Sequence, residues 1–262
     1  MKQNISLGSK EVELLSTLER ERRDVFTVDD ARSVLADTSH QVVRNLLSGL
    51  AAKGRVQRIK RGVYLLVPFR HRDWAVHELS LVPVLARDAY VSFGSALRFW
   101  GMTARIGTVV TAAVRRPVRE RAFQGTWYRF VALADRFFFG HRAVMLSGRS
   151  VRVATREKAV LDSLLHPEHC GGIGEVARVV RDHAGELDWA RVGRHLHRMD
   201  SSAVERRLAY ILHHLGLGEL LPGVVKKGYD GYRPLDPRGP AEGPYDGKFG
   251  LRINVGLDEV MS

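Results

Sequence analysis

The chain has 262 residues, of which 45% are hydrophobic and 27% charged, which is ordinary for a globular protein with its own core. This length allows one large domain or two small ones. The formal net charge of +12 favours an anionic partner, and either nucleic acid or a membrane surface would satisfy it. The single cysteine, Cys170, excludes an internal disulfide framework.

The sequence gives no sign of a membrane segment. No stretch approaches the roughly 20 apolar residues that a bilayer-spanning helix needs. The first ten residues, MKQNISLGSK, lack the apolar core of a secretion signal. We therefore expect a cytoplasmic protein that does not associate with membranes.

The first 38 residues predict two helices joined by a connection at Phe26-Thr27. Ser9 is the expected N-terminal cap of a helix that runs to Arg20. Thr27 is expected to cap a second, short helix, and Asp30 stands where a capping box is completed. The residues expected to form the apolar faces are Val12, Leu14, Leu15, Leu18, Ala31, Val34 and Leu35.

The stretch from Ser39 to Pro68 predicts a third helix followed by a hairpin. Lys53-Gly54 is expected to end this helix, because glycine readily adopts the left-handed cap conformation. Two strands, 55–60 and 63–67, then flank a turn at Arg61-Gly62. The apolar residues of the helix follow the i, i+3, i+4, i+7 spacing of one face and are assigned mainly to the core: Val42, Val43, Leu46, Leu47 and Leu50.

Positive charge in the N-terminal region is concentrated on this third helix and its hairpin. Residues 1–36 hold six Lys or Arg and seven Asp or Glu, a balance of −1. Residues 37–70 have a balance of +6, because one acid, Asp37, stands against seven bases. The seven are Arg44, Lys53, Arg55, Arg58, Lys60, Arg61 and Arg70.

A helix followed directly by a basic two-stranded hairpin is the arrangement of a winged helix-turn-helix. In that arrangement the helix enters the major groove of DNA and the wing lies on the phosphates. We therefore predict that residues 1–68 bind double-stranded DNA, the alternative being a solvated basic hairpin on a small helical domain. The predicted DNA contacts are Ser39, His40, Gln41, Arg44, Asn45, Arg55, Arg58, Lys60 and Arg61.

Residues 69–88 are interpreted as a helical connection in which Pro83 marks a break or a helix start. A strand end near Tyr90 then leads into a helix, with Ser95 as its N-terminal cap and Gly101 at its end. Ser92 and Ser95 are interpreted as structural residues, because the sequence does not place the partners that a serine nucleophile needs.

From Val109 to Val153, alternating and β-branched residues predict a series of strands, in the segments VVTAAV, TWYRFVAL, RFFFG and VRVA. Residues 71–155 hold thirteen bases and five acids, a balance of +8. Their charge either protects a sheet edge from aggregation or contacts DNA phosphates or an acidic partner, and the sequence leaves both open. The densest cluster is Arg115, Arg116, Arg119 and Arg121.

The remaining sequence predicts four helices and a closing strand. The first helix is capped by Thr155 and the second begins near Gly174. The third runs from Asp188 to Met199 and the fourth from Ser202 to Leu215. A tail rich in glycine and proline follows from residue 216, and it closes on a strand over 251–255.

Motifs along the chain resemble one known family. In the N-terminal region they are Phe26-Thr27, the Val-Val-Arg-Asn-Leu-Leu helix, Lys53-Gly54 and Arg61-Gly62-Val63-Tyr64, which many winged-helix regulators share. A more specific motif is the Glu157-Lys158-Ala159-Val160-Leu161-Asp162 helix with the following Gly171-Gly172-Ile173. With Tyr90 to Leu97, Glu205 to Tyr210 and the tail, these motifs resemble the AbiEi family over nearly the whole chain. AbiEi proteins are antitoxins and transcriptional regulators of type IV toxin–antitoxin systems.

Two groups of residues have the composition of a chemical site. His166, His169 and Cys170 are zinc-binding residue types, but a fourth ligand at a motif spacing is missing and Gly171-Gly172 indicates a loop. Glu157, Lys158 and Asp162 are nuclease residue types, but adjacent helical residues do not share a face. The sequence contains no Walker-type phosphate loop. We therefore predict no metal site, no cofactor and no catalytic residues.

These observations predict an α+β protein: an N-terminal winged helix-turn-helix domain, residues 1–68, followed by a larger mixed α+β domain, residues 69–262. The resemblance implies that the protein binds operator DNA with inverted repeats and represses its own operon. It also implies that the second domain neutralises a cognate nucleotidyltransferase-like toxin. One alternative is a stand-alone winged-helix regulator whose C-terminal domain senses a ligand or mediates assembly. Another is a DNA-processing enzyme with unrecognised catalytic residues.

Overall fold

The fold is described from a computed structural model, which covers residues 6–67, 76–105, 107–224 and 229–257. The chain separates into two compact units, Met1–Val76 and His77–Ser262. The boundary expected from the sequence, after residue 68, falls at the start of residues 68–75, which lie outside the described residues. The interpretation of 69–88 as a helical connection is therefore observable only in part.

The N-terminal unit combines a helical layer with a small sheet, in the order helix, strand, helix, helix, strand, strand. Its described helices are α1 (Ser9–Arg20), α2 (Val28–Val34) and α3 (His40–Ala52), and its described strands are β1 (Val25–Thr27), β2 (Val56–Lys60) and β3 (Val63–Leu66). The sheet is antiparallel in the order β1-β3-β2. This order of elements agrees with the predicted winged helix-turn-helix.

Hydrogen bonds between side chains and backbone N–H groups stabilise the starts of the first three helices. Thr27 Oγ1 accepts from the Asp30 N–H at 3.1 Å and Asp30 Oδ2 accepts from the Thr27 N–H at 2.7 Å, so the predicted capping box is confirmed. Ser39 Oγ accepts from the Val42 N–H and starts α3. The prediction for α1 is wrong by one residue: Gly8 is the cap, and its N–H is held by Glu11 Oε2 at 2.8 Å.

The apolar faces of the three helices and the hairpin form one core. Two residues assigned to that core are exposed instead: Val12 at 50% and Val42 at 47%. The buried face of α3 is centred on Val43, Leu47 and Leu50, and Val42 is rotated about 100° away from Val43, toward solvent. The buried residues of the unit are Leu14, Leu15, Leu18, Phe26, Val28, Ala31, Leu35, Val43, Leu47, Leu50, Val56, Tyr64 and Leu66.

Strand β1 was predicted as a connection and is instead the third strand of the small sheet. Val25 pairs with Leu65 and Thr27 with Val63, so β1 covers the outer side of β3. Three residues are too few to show a period of two, and the pairing depends on the hairpin that lies some 40 residues later.

The C-terminal unit is built on a mixed six-stranded sheet with helices packed against it. Its strand order is β6-β7-β5-β4-β9-β8, in which β5–β7 and β4–β9 are parallel pairs and the others antiparallel. The described helices of both units include none that is long and apolar enough to cross a membrane. The strands are β4 (Tyr90–Val91), β5 (Val109–Val114), β6 (Arg121–Phe123), β7 (Thr126–Ala132), β8 (His141–Leu146) and β9 (Arg149–Ala154).

The helices of this unit follow the predicted order, and α6 is capped by Thr155 as expected. A short three-strand sheet closes the chain, with β12 between β10 and β11, so the predicted strand over 251–255 is confirmed in its first two residues. The helices are α4 (Val82–Leu85), α5 (Phe93–Phe99), α6 (Arg156–Leu165), α7 (Ile173–His183), α8 (Trp189–Met199) and α9 (Ser202–His214). The closing strands are β10 (Arg233–Pro234), β11 (Tyr245–Asp246) and β12 (Leu251–Arg252).

The strand predicted for the RFFFG segment is wrong. Asp135–Phe137 forms a single 3-10 turn, and the three phenylalanines that follow Arg136 are all buried. A short apolar run is consistent with a buried strand or a buried turn alike, because its composition carries no period.

A polar cluster lies fully buried between β4 and α6. Asp162 is ion-paired with Lys158, and both side chains are 0% exposed. The Asp162 carboxylate also accepts from Ser92 Oγ at 2.7 Å and from the Tyr90 hydroxyl at 2.9 Å. Burial and the Asp162 carboxylate raise the pKa of Tyr90 well above its ordinary value. Ser95 was predicted to cap the following helix, and that cap assignment is wrong. α5 begins after Ser92, and Ser95 Oγ instead accepts a hydrogen bond from the Thr111 N–H of β5.

The buried cluster predicts a large loss of stability when its charges are unbalanced. Asp162→Asn leaves the Lys158 ammonium without its counter-charge, and we expect the free energy of unfolding to fall by about 3–5 kcal/mol. Asp182→Asn is the matched control, because Asp182 pairs with Arg181 on the surface and is 46% exposed. The control should change stability by about 0.5 kcal/mol or less. Urea denaturation of both variants measures this, and equal losses would contradict the prediction.

Candidate nucleic-acid interface

A cleft in the N-terminal unit brings together three of the residues predicted to contact DNA. Arg44 from α3, Arg58 from β2 and Arg61 from the hairpin turn line one cleft of about 470 Å³. No ion pair of Arg44, Arg58 or Arg61 occurs within the described parts of the chain, although other arginines of this unit, such as Arg23, do form them. Three positive charges from separate elements therefore face one space without a protein counter-ion there.

The exposed face of α3 is polar next to this cleft. Gln41, Arg44, Asn45 and Ser48 are all exposed and follow the spacing of one helical face, while the opposite face is buried in the core. Gln41 Nε2 donates to Asn45 Oδ1 at 3.0 Å, which aligns two side chains of the kind that pair with adenine. Ser39 caps the start of α3, so the positive end of the helix dipole lies beside Gln41 at the beginning of this polar face.

The predicted wing is a hairpin whose pairing shifts register between Arg58 and Lys60, and its charges are divided between its two ends. The turn depends on Gly62, whose φ of +75° favours glycine although no atom lies within 4 Å of a built Cβ. Arg58 and Arg61 are exposed near this turn and Lys60 is half-buried. Arg55 lies before β2, at the end of the hairpin away from the turn, and does not line the cleft.

The cluster Arg115, Arg116, Arg119 and Arg121 lies in the other unit, on the connection from β5 to β6 and at the start of β6. All four side chains are exposed, and β6 is an edge strand of the six-stranded sheet. Arg115 pairs with Asp135 at 2.9 Å and lies over the Phe138 ring at 4.3 Å. Edge protection and polyanion binding both agree with this placement.

The residues considered for a nuclease site point in different directions. Glu157 faces Arg191 at 3.4 Å, whereas Lys158 and Asp162 face each other inside the core. Burial raises the pKa of Glu157, but hydrogen bonds and the charge of Arg191 outweigh this effect, so the pKa lies below its ordinary value. A fully buried pair offers no surface to a nucleic acid, so these residues contribute to the fold.

The residues considered for zinc, His166, His169 and Cys170, lie in the turn after α6. The structure groups the two histidines with Glu168 and not with Cys170. The Cys170 thiol donates to the Pro167 carbonyl at 3.2 Å, and burial raises its pKa to about 12. Glu168, which the sequence interpretation did not include, brings its carboxylate among the ring nitrogens of His166 and His169, with all three donor atoms within 4.8 Å of one another. The feature of the sequence that could have indicated this group is the His-x-Glu-His spacing from His166 to His169, which fits within a single turn.

The N-terminal unit thus has the element order and basic cleft found in winged-helix proteins that bind DNA. Residues 13–67 match the family model described as "Transcriptional regulator, AbiEi antitoxin", which confirms the resemblance over this unit. No curated protein matches the sequence. The fold is similar to that of the RV2827C protein from Mycobacterium tuberculosis in its crystal structure. The TM-score is 0.72 at 14% identity, over 98% of this chain and 94% of the other.

The geometry of the cleft predicts that Arg44 reads bases. Arg44→Ala should weaken binding to a preferred duplex by about 1–3 kcal/mol and leave binding to unrelated DNA nearly unchanged. Arg32→Ala is the control, because Arg32 is an exposed arginine of α2 outside the cleft. The preferred duplex is first selected from random sequences with the full chain, and affinities are then measured by fluorescence anisotropy. Unchanged affinity and sequence preference in Arg44→Ala would remove α3 from the groove.

Proposed function

We propose that this protein is a DNA-binding antitoxin of a type IV toxin–antitoxin system. It represses its own operon and neutralises a cognate nucleotidyltransferase-like toxin. The observation that carries the DNA-binding part is the cleft in which Arg44, Arg58 and Arg61 meet, within the same stretch that matches the regulator family model. The proposal includes no catalytic step, no cofactor and no membrane, and it places the protein in the cytoplasm with its operator.

In the proposed DNA complex, α3 reads the bases and the wing contacts the phosphates. The polar face of α3 enters the major groove, where Gln41 and Asn45 suit adenine and Arg44 suits guanine. The exposed wing residues Arg58 and Arg61, with Lys60, lie on the phosphate backbone, which fixes the position of the protein but carries little sequence information. The N-terminus of α3 adds its dipole to the attraction for phosphate.

The proposed operator is a pair of inverted repeats in double-stranded DNA. One α3 helix covers only a few base pairs, and a two-fold pair of winged helices reads two half-sites about one helical turn apart. Inverted half-sites would let two copies repress the shared promoter.

The C-terminal unit is the proposed site of toxin neutralisation. Its six-stranded sheet and its own buried cluster support an independent role for it. The motif most specific to the resemblance, Glu157 to Asp162, is buried and offers almost no surface to a partner. The toxin would therefore meet an exposed surface, and the basic cluster at Arg115 to Arg121 suits an acidic one.

A second candidate function is a stand-alone regulator whose C-terminal unit senses a ligand. The observation in its favour is a cleft of about 250 Å³ in that unit, lined by polar side chains that include Ser95, Arg98, Arg105 and Thr111. A nucleotidyltransferase-like gene beside this one in the genome favours the antitoxin, and its absence favours the sensor.

The wing predicts a loss of affinity that does not depend on DNA sequence. Replacing Arg58, Lys60 and Arg61 together by Ala should weaken binding to all duplexes alike. The slope of log K against log salt should become shallower by roughly one unit per lost phosphate contact. The control replaces Arg20, Arg22 and Arg32, which removes the same charge from exposed positions away from the cleft. A slope that falls equally in both variants would mean that net charge alone binds the DNA.

The division of roles predicts that DNA binding and toxin neutralisation separate in the full chain. The wing variant should fail to repress a reporter fused to the operon's promoter, because it has lost its phosphate contacts. The same variant should still restore growth of cells that express the neighbouring toxin. Both readouts come from one strain, with protein levels checked by immunoblot. Loss of growth rescue at normal protein level would contradict the assignment of neutralisation to the C-terminal unit.

A further inference from the structure

A compact group of metal-binding side chains lies in the turn between α6 and α7. His166 is the C-terminal cap of α6, and Glu168 and His169 follow in the 3-10 turn Pro167–His169. One nitrogen of each histidine and one carboxylate oxygen lie within 4.8 Å of one another. His166 and Glu168 are largely covered, with side chains 34% and 22% exposed. Three donors from four consecutive residues thus face a common point.

Glu168 and His169 each have one buried side-chain atom without a hydrogen-bond partner among the described residues. These atoms are Oε2 of Glu168 and Nδ1 of His169. Burial of an unpaired polar atom costs free energy, and such an atom in a native protein usually has a water or an ion beside it. A cation held by these side chains would give both atoms a partner, and His166 Nδ1 lies 3.4 Å from the other oxygen of the same carboxylate, Glu168 Oε1.

The surrounding fold holds this turn in place. A Cβ at Gly94 would lie 3.0 Å from the His169 carbonyl oxygen and 3.2 Å from the Cys170 Cα, so α5 packs closely on the turn. The Phe93 ring meets both imidazoles edge-on, at 6.1 Å from His166 and 5.3 Å from His169. The donors are therefore preorganised, which lowers the entropy cost of binding a metal.

The donor set and the charge around it select the kind of metal. Two imidazole nitrogens and one carboxylate oxygen suit Zn²⁺, whereas Mg²⁺ and Ca²⁺ prefer oxygen donors alone. Arg129 and Arg238 line the same cleft as Glu168 and His169, and their charge opposes a cation. Glu120 pairs with Arg129 at 2.6 Å and offsets part of that charge.

We propose that His166, Glu168 and His169 bind one Zn²⁺ ion, with the fourth coordination position open to the cleft. This inference departs from the expectation of no metal drawn from the sequence, where Cys170 was weighed in place of Glu168. The two arginines at the open position favour an anion, such as a carboxylate or a phosphate, as the fourth ligand. The proposal rests on neither DNA binding nor toxin neutralisation, because it is argued only from side chains in and around the turn after α6.

Zinc titration of the full chain tests the site. The protein is prepared without a histidine tag, freed of metal with a chelator and titrated with ZnCl₂ by calorimetry. We expect one ion per chain, and we expect Glu168→Gln and His169→Ala each to weaken binding at least about tenfold, because even a group behind the ligands is worth that much. His183→Ala is the matched control, since His183 also pairs with a nearby carboxylate, Glu186 at 2.7 Å, but does not belong to a group of three donors among the described residues.

A second measurement needs no variant, so misfolding cannot obscure the result. Diethyl pyrocarbonate modifies histidines that are accessible, and peptide mass spectrometry locates the modified residues. Zn²⁺ should protect His166 and His169 and leave His183 as reactive as before. The proposal is overturned if the wild-type chain binds no zinc, if folded Glu168→Gln binds it as tightly as wild type, or if zinc protects His183 equally.

Discussion

The C-terminal unit depends on one buried carboxylate. Asp162 joins α6 to the central strand β4, because it accepts hydrogen bonds from Tyr90 and Ser92 and is ion-paired with Lys158 on its own helix. Each of these polar groups would be costly to bury alone, and together they satisfy one another. The cluster fixes the position of α6 on the sheet, since an aliphatic contact would tolerate a shift that the directional hydrogen bonds from Tyr90 and Ser92 do not.

Much of what surrounds that helix follows from its position. The His166 N–H bonds to the Asp162 carbonyl at the end of α6, so the turn that carries Glu168 and His169 is held by the same helix. Gly140, with φ of +71°, leaves room for the Lys158 stem, whose carbons would lie about 3 Å from a Cβ there. The motif that resembles the antitoxin family most specifically therefore supports the fold, and exposed surfaces remain for partners.

In the N-terminal unit, apolar packing and not a buried polar cluster positions the candidate DNA-binding residues. A hydrophobic core fixes α3 and the hairpin relative to each other, and this alone brings Arg44, Arg58 and Arg61 around one cleft. Arginines without ion pairs repel one another weakly at the surface, and a core of this size outweighs that repulsion. Binding of DNA phosphates would then relieve the repulsion. The three charges therefore destabilise the free protein only a little and would strengthen its binding to DNA.

The sequence alone determined those features that depend on neighbouring residues. The caps at Thr27 and Thr155, the turn at Gly62 and the basic hairpin were predicted correctly, because each requires contacts within a few residues. Only the tertiary structure decided which apolar residues lie inside, as exposed Val42 shows, and that β1 pairs with a hairpin far along the chain. It also decided that Glu168, rather than Cys170, joins the two histidines, since side-chain direction in a turn depends on what packs against it.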